Sequence, residues 1–245
     1  MACSEKKMHI TQPADFDVDG PYSMDGSGKP ASVRSDGVVQ VEPIAFSYPE
    51  GFQQVELQPH EPKGGVAFAY RGETCRIDSF ANGLIAQESM PIGHQMVAID
   101  CIRCCLGENQ GIIEVETGET PQGNSYLYSI VKTFLQKPVR TQYGLCLQIG
   151  KPVQADSPVA NIQAVGEETG VSGARHTLAY SLELDAGNVG TDEDPYAGWC
   201  ADPYDSSVDE GFLMSLAEKQ AYDKLFPDHP LSQLRALKDA IIAQC

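Results

Sequence analysis

Two carboxylates two residues apart, Glu114 and Glu116, stand in a stretch of β-branched residues from Ile112 to Thr117. Side chains two apart on a strand project from one face, so the pair is presented together to whatever lies above it. Lys132 lies near the end of a second apolar stretch, Tyr126 to Phe134, while Glu167, Glu168 and Arg175 bracket a turn containing Gly166, Gly170 and Gly173, with His176 adjacent. Carboxylates working with a Lys or Arg can exchange protons with a substrate or hold a small ligand by charge. The candidate ligand-binding residues are therefore Glu114, Glu116, Lys132, Glu168 and Arg175. The same groups suit ion pairs that fix a sheet to a helix, and that structural role is the preferred expectation.

Other clusters are incomplete. Asp15, Asp17, Asp19 and Gly20 match the first half of a calcium loop, but Gly26 occupies the twelfth position, where a bidentate carboxylate belongs, so a solvated acidic turn is expected. Cys101, Cys104 and Cys105 offer thiolates, yet a structural zinc needs four ligands and the other five cysteines are scattered singly. Among Met, Val, Ile and Leu the trio reads as small core residues. The five histidines fall in no cysteine-hydrolase signature, and G-x-S-x-G, P-loop, G-x-G-x-x-G and H-E-x-x-H patterns do not occur. No cofactor is expected and no metal ligand is assigned; calcium or zinc binding is a third-ranked function. Trp199, the only tryptophan, reads as a pin holding a long loop to the core, with a binding lid as the alternative.

Patterning supplies the elements that must position these groups. Ile44 to Tyr48, Val55 to Leu57, Val66 to Tyr70 and Cys75 to Phe80 read as an antiparallel meander punctuated by glycines. A helix follows Pro91 and ends before Gly107, and strands resume at Ile112 to Thr117, Tyr126 to Phe134 and Tyr143 to Ile149. Pro158 to Leu184 yields only a helix from about Ser172, and the C-terminus reads as two short amphipathic helices, Leu213 to Phe226 and Leu231 to Ile242. Such helices cannot hold themselves together in water and should dock on the strands.

The chain has 245 residues with 17 Lys+Arg against 34 Asp+Glu, a net charge of −17. Nucleic acid and anionic membranes both demand a surplus of Lys and Arg, so neither is an expected partner. Ten of the acids lie between Arg175 and Lys219, a stretch without a single Lys or Arg. The organisation expected is a flexible arm over 1–43, an α+β core over 44–184, an acidic linker over 185–211 and a helical tail over 212–245. With neither a secretory leader nor an apolar run of membrane-spanning length, the location expected is cytoplasmic, with reduced thiols. The partner expected is a protein or small molecule, with a basic partner possible for 185–211.

The strings ENQGIIEVETGETPQGNSYLYSIVK (Glu108 to Lys132), GEETGVSGAR (Gly166 to Arg175) and FPDHPLSQLR (Phe226 to Arg235) together resemble an uncharacterised family of gut anaerobic Firmicutes-type bacteria. The resemblance covers most of the chain and implies no particular activity, but its strings contain all five candidate residues. The order of elements also looks like the PsbP-like fold, an α-β-α sandwich in which helices flank an antiparallel sheet, whose members mostly serve as binding or assembly factors. The function expected is a non-enzymatic interaction or small-ligand-binding module, the alternative being an enzyme that uses a Glu/Lys/Arg cleft for acid-base chemistry.

Overall fold

Alternating burial along Val39–Val41 and Ile44–Phe46 marks the first well-packed strands, β2 and β3, which with β1 (Ser32–Val33) form a small antiparallel sheet. The computed structural model describes residues 30–57, 64–137, 139–170 and 173–245. Of the stretch expected to be a flexible arm, residues 30–43 are described, and there Val39 and Val41 are fully buried. A two-residue alternation set among glycines is too short to register in the sequence. The Asp15 to Gly20 string lies outside the described residues.

The main sheet has seven antiparallel strands: β4 (Phe52–Val55), β5 (Val66–Arg71), β6 (Cys75–Ile85), β7 (Gln110–Glu119), β8 (Ser125–Gln136), β9 (Val139–Gly150) and β10 (Pro158–Glu168). Their order across the sheet is β4-β5-β6-β10-β9-β8-β7. The central β10 was not apparent from the sequence. Its residues alternate between Ala160, Ile162 and Ala164 on one face and Asn161, Gln163 and Val165 on the other, and neither alanine nor asparagine favours strands. Ladders to β6 on one side and β9 on the other supply what local preference does not.

The fold is α+β, with three α-helices among the described residues rather than a flanking set. Helix α1 (Gln95–Cys105) buries Ala98, Ile99 and Ile102 against Leu127 and Val131 of β8 and Ile112 and Val115 of β7. Its cysteines are not core residues as expected: Cys104 is exposed, Cys101 and Cys105 are half-buried, and no disulfide joins the seven described cysteines. Helix α3 (Pro230–Gln244) buries Leu231, Leu234, Leu237 and Ile241 on the opposite face, against Tyr128, Ile130, Leu145 and Ile162. Each such apolar side chain contributes about 1.5–3 kcal/mol on burial, so α3 is a structural layer. Helix α2 (Ala174–Asp185) stands beside α3. No helix among the described residues is long and apolar enough to cross a membrane.

The first of the two expected C-terminal helices is replaced by short 3-10 turns at Leu216–Glu218 and Gln220–Tyr222. Side chains from the neighbouring helices seat these turns: the carbonyls of Ala217 and Lys219 accept from the Arg175 guanidinium and that of Glu218 from Arg235, while the Lys219 carbonyl also takes the Tyr222 amide.

Candidate functional site

Three of the five candidate residues, Glu114, Lys132 and Arg175, converge on the layer between the sheet and α3. Arg175, in the first turn of α2, is completely buried and saturated: Nε donates to the Ala217 carbonyl at 2.6 Å, Nη1 to Ser232 Oγ at 2.7 Å, and Nη2 reaches both the Lys219 carbonyl and, at 2.8 Å, Asp223 Oδ1. Asp223 also pairs at 2.9 Å with Arg235 of α3, which in turn grips both oxygens of Glu114 at 3.2–3.3 Å. Burial alone would pull the Arg235 guanidinium down, but Glu114 and Asp223 outweigh it and hold it above its ordinary value. Arg175 is lowered by burial despite Asp223. Lys132 pairs with Glu218 at 2.8 Å in an almost fully dry site, where Glu218 also accepts from the Ser215 amide.

Glu168 stands apart from this chain of charges. It accepts from the Gly173 amide at 3.1 Å and faces His229 Nε2 at 3.7 Å. Burial raises its carboxyl against the opposing pull of Gly173 and Arg175. His229 caps α3 by accepting the Leu231 amide on Nδ1, which puts its proton on Nε2. Burial, helped by Arg175, His176 and Arg235, depresses its pKa to about 3.

Glu116 has a different setting. It is exposed, on the face of β7 that looks toward α3, and accepts the hydroxyls of Tyr126 at 2.9 Å and Tyr128 at 3.1 Å. These two rings, Glu114, Lys238, Asp239 and Ile242 are among the residues that line a cleft of about 340 Å³. Burial, with the Glu116 carboxylate beside it, pushes the Tyr126 hydroxyl up to about 12, and the same causes hold Tyr128 higher still. Both phenols therefore stay protonated and act as donors. Tyr126 folds over Gly118 so closely that a Cβ there would stand 2.5 Å from its hydroxyl oxygen, which makes the glycine a condition of this ring position.

No family model matches this chain, and neither does any curated protein.

Glu218, Asp223, Arg235 and Lys238 were not singled out by residue type. One signal could have found part of the set: Ser232, Arg235 and Lys238 recur every three residues along α3 and all three are buried. A polar stripe on the inner side of an otherwise apolar helix implies partners of opposite charge in the layer beneath. Ser215 and His176 also meet, Oγ to Nε2 at 3.2 Å. Ser215 is buried and its hydroxyl lies 3.2 Å from Glu218 in a capping box, so it serves as a helix cap rather than an exposed nucleophile. Among the described residues no group of three or more His, Cys, Asp or Glu side chains is arranged to hold a metal ion.

Residues 199–215 run along the outer edge of β7. Tyr204 places its hydroxyl between the amide and carbonyl of Val115, donating to the carbonyl at 3.0 Å, and Asp202 pairs with Arg103 of α1 at 2.6 Å. The Phe212 carbonyl presses onto Gly111, where any Cβ would collide with it. Trp199 packs edge-on against Tyr180 of α2, with ring centroids 5.2 Å apart, and so pins the start of this segment.

Proposed function

We propose that the protein is a non-enzymatic binding module whose ligand cleft lies between β7–β8 and α3. The observation that carries this reading is the distribution of charge partners. Arg175, Arg235 and Lys132, the cations that an acid-base mechanism would use, are each engaged by protein acceptors, whereas among the described residues Glu116 faces the cleft with only neutral hydroxyls for partners. A concave surface with aromatic walls and a few fixed polar groups is the usual form of a small-molecule site. The placement of α1 and α3 on opposite faces of an antiparallel sheet supports a likeness to the PsbP-like fold and, with it, a binding or assembly role, by analogy of architecture.

The test is a ligand-observed screen of small anions, neutral molecules and cations, followed by amide-shift mapping on the labelled protein. Compounds that shift Glu116, Tyr126 and Tyr128 together support the reading. Binding confined to other surfaces, or chemical turnover of a bound compound, would sink it.

A further inference from the structure

We infer that the cleft selects a primary alkylammonium group, held by Glu116 beside the Tyr126 and Tyr128 hydroxyls. This rests on the binding reading above and specifies the chemistry of the ligand.

Charge comes first. Around the cleft the carboxylates Glu114, Asp223 and Asp239 pair with the cations Arg175, Arg235 and Lys238, and Glu116, bonded to two tyrosine hydroxyls, is a fourth carboxylate. Four anions against three cations leave one negative charge, and it resides on Glu116, whose partners are phenols. A ligand carrying a single positive charge balances the site; an anion would add to its excess.

The cleft already accommodates an ammonium. Lys238 Nζ lies 4.3 Å from the centre of the Tyr128 ring and 2.6 Å from Asp239, with the residue buried. A ring face next to a carboxylate is a favourable seat for a cation. Tyr126 and Tyr128 lie 6.3 Å apart and nearly parallel, and Glu116 accepts from both hydroxyls, so an ammonium paired with it lies at the hydroxyl end of the two rings. The two hydroxyls each take one oxygen of Glu116 and fix its plane, and a carboxylate retains further lone pairs for an incoming N–H. Ile242 and Ala243 provide an apolar wall for the alkyl chain. At about 340 Å³ the space is at the small end of ligand sites, suited to an amine of a few carbons or to the end of a lysine side chain.

The experiment titrates the labelled full chain with butylammonium, butanol, butyrate and N-acetyl-lysine methylamide. Butylammonium should shift the amides of Glu116, Tyr126 and Asp239 at millimolar concentration. Its affinity should fall at least tenfold in Glu116→Gln, an exposed change that leaves the fold intact, and rise several-fold in Lys238→Met, which removes a competing positive charge. Stronger binding of the lysine derivative than of butylammonium identifies a peptide side chain as the source of the ammonium, and weaker binding identifies a free amine. Butanol or butyrate shifting those amides while butylammonium does not would overturn the cation selectivity and leave the binding reading standing. Silence from all four probes overturns the inference, and the wider screen then decides the binding reading by itself.

Discussion

Two groups of charged residues lie against α3, and they differ in what surrounds them. Beneath the helix, the buried cations Arg175, Arg235 and Lys132 meet Asp223, Glu114 and Glu218 in matched numbers. At its flank, Glu116, Asp239 and Lys238 stand beside two tyrosines around an open cleft. The residue types are the same. A buried pair is costly to desolvate and strongly destabilising to break, so a balanced interior network acts as scaffold. A small imbalance at the surface costs little and leaves charge available to a ligand. On the proposed reading, ligand binding follows unmatched charge rather than charge density.

Removing Arg175 tests the scaffold half most severely. Arg175→Ala takes from Asp223 one of its two cations, leaves three other acceptors without this donor, and should cost about 3–5 kcal/mol, roughly 10 °C in melting temperature, by denaturant or thermal unfolding. A change of less than about 2 °C would move Arg175 from the scaffold to the site. Lys132→Met should destabilise by a similar but somewhat smaller amount because Glu218 retains the Ser215 amide and hydroxyl. Adding Glu218→Gln should restore much of the loss, since the stranded charge goes with it. If the double variant is no better than the single, the pair is not the unit described.

His229 supplies a smaller, continuous effect. Its folded pKa lies near 3, below the 6.5 of the unfolded chain, so the unfolded state binds the extra proton as pH falls. The stability it contributes is fully present above pH 6.5 and declines toward pH 3, at about 1.4 kcal/mol per pH unit in mid-window. His176, lowered by burial, acts in the same direction, while the raised carboxyl of Glu168 opposes them at the acidic end. Denaturant midpoints measured from pH 7 to 4 should slope less steeply in His229→Gln. The smallest expected change belongs to the cleft: Glu116→Gln should shift stability by less than about 0.5 kcal/mol, and a larger loss would make Glu116 part of the scaffold after all.

The sequence carries the outline of this arrangement unevenly. β5, β8, α1 and α3 are legible because their apolar periods are long and their ends are punctuated by Pro or Gly. β10 is hidden because its residues owe their conformation to neighbours 60 or more positions away in one ladder, not to their own preferences. The 3-10 turns at 216–222 look helical since their apolar residues have helical spacing, and the arginines that hold their carbonyls come from α2 and α3, outside the local pattern. Glu114, Lys132 and Arg175 could be named from their types, and their preferred reading as ion pairs agrees with the contacts they make. Their partners could not be named, because pairing depends on a fold that brings 114 to 235 and 132 to 218. Glu116 looks identical to Glu114 in the strand. Only the absence of a cation among its partners distinguishes it.

The Tyr204 hydroxyl seated on Val115 gives the sheet a direction. An outer strand ordinarily offers its amides and carbonyls to any chain that can lie alongside. On β7 that template is interrupted at Val115, and the covering segment belongs to the most acidic part of the chain, which repels a second copy of itself. On β4, at the far side, four residues end the sheet with no further described strand beyond them. The β7 edge is thus closed to a further strand around Gly111 and Val115, where Phe212 and Tyr204 already occupy it.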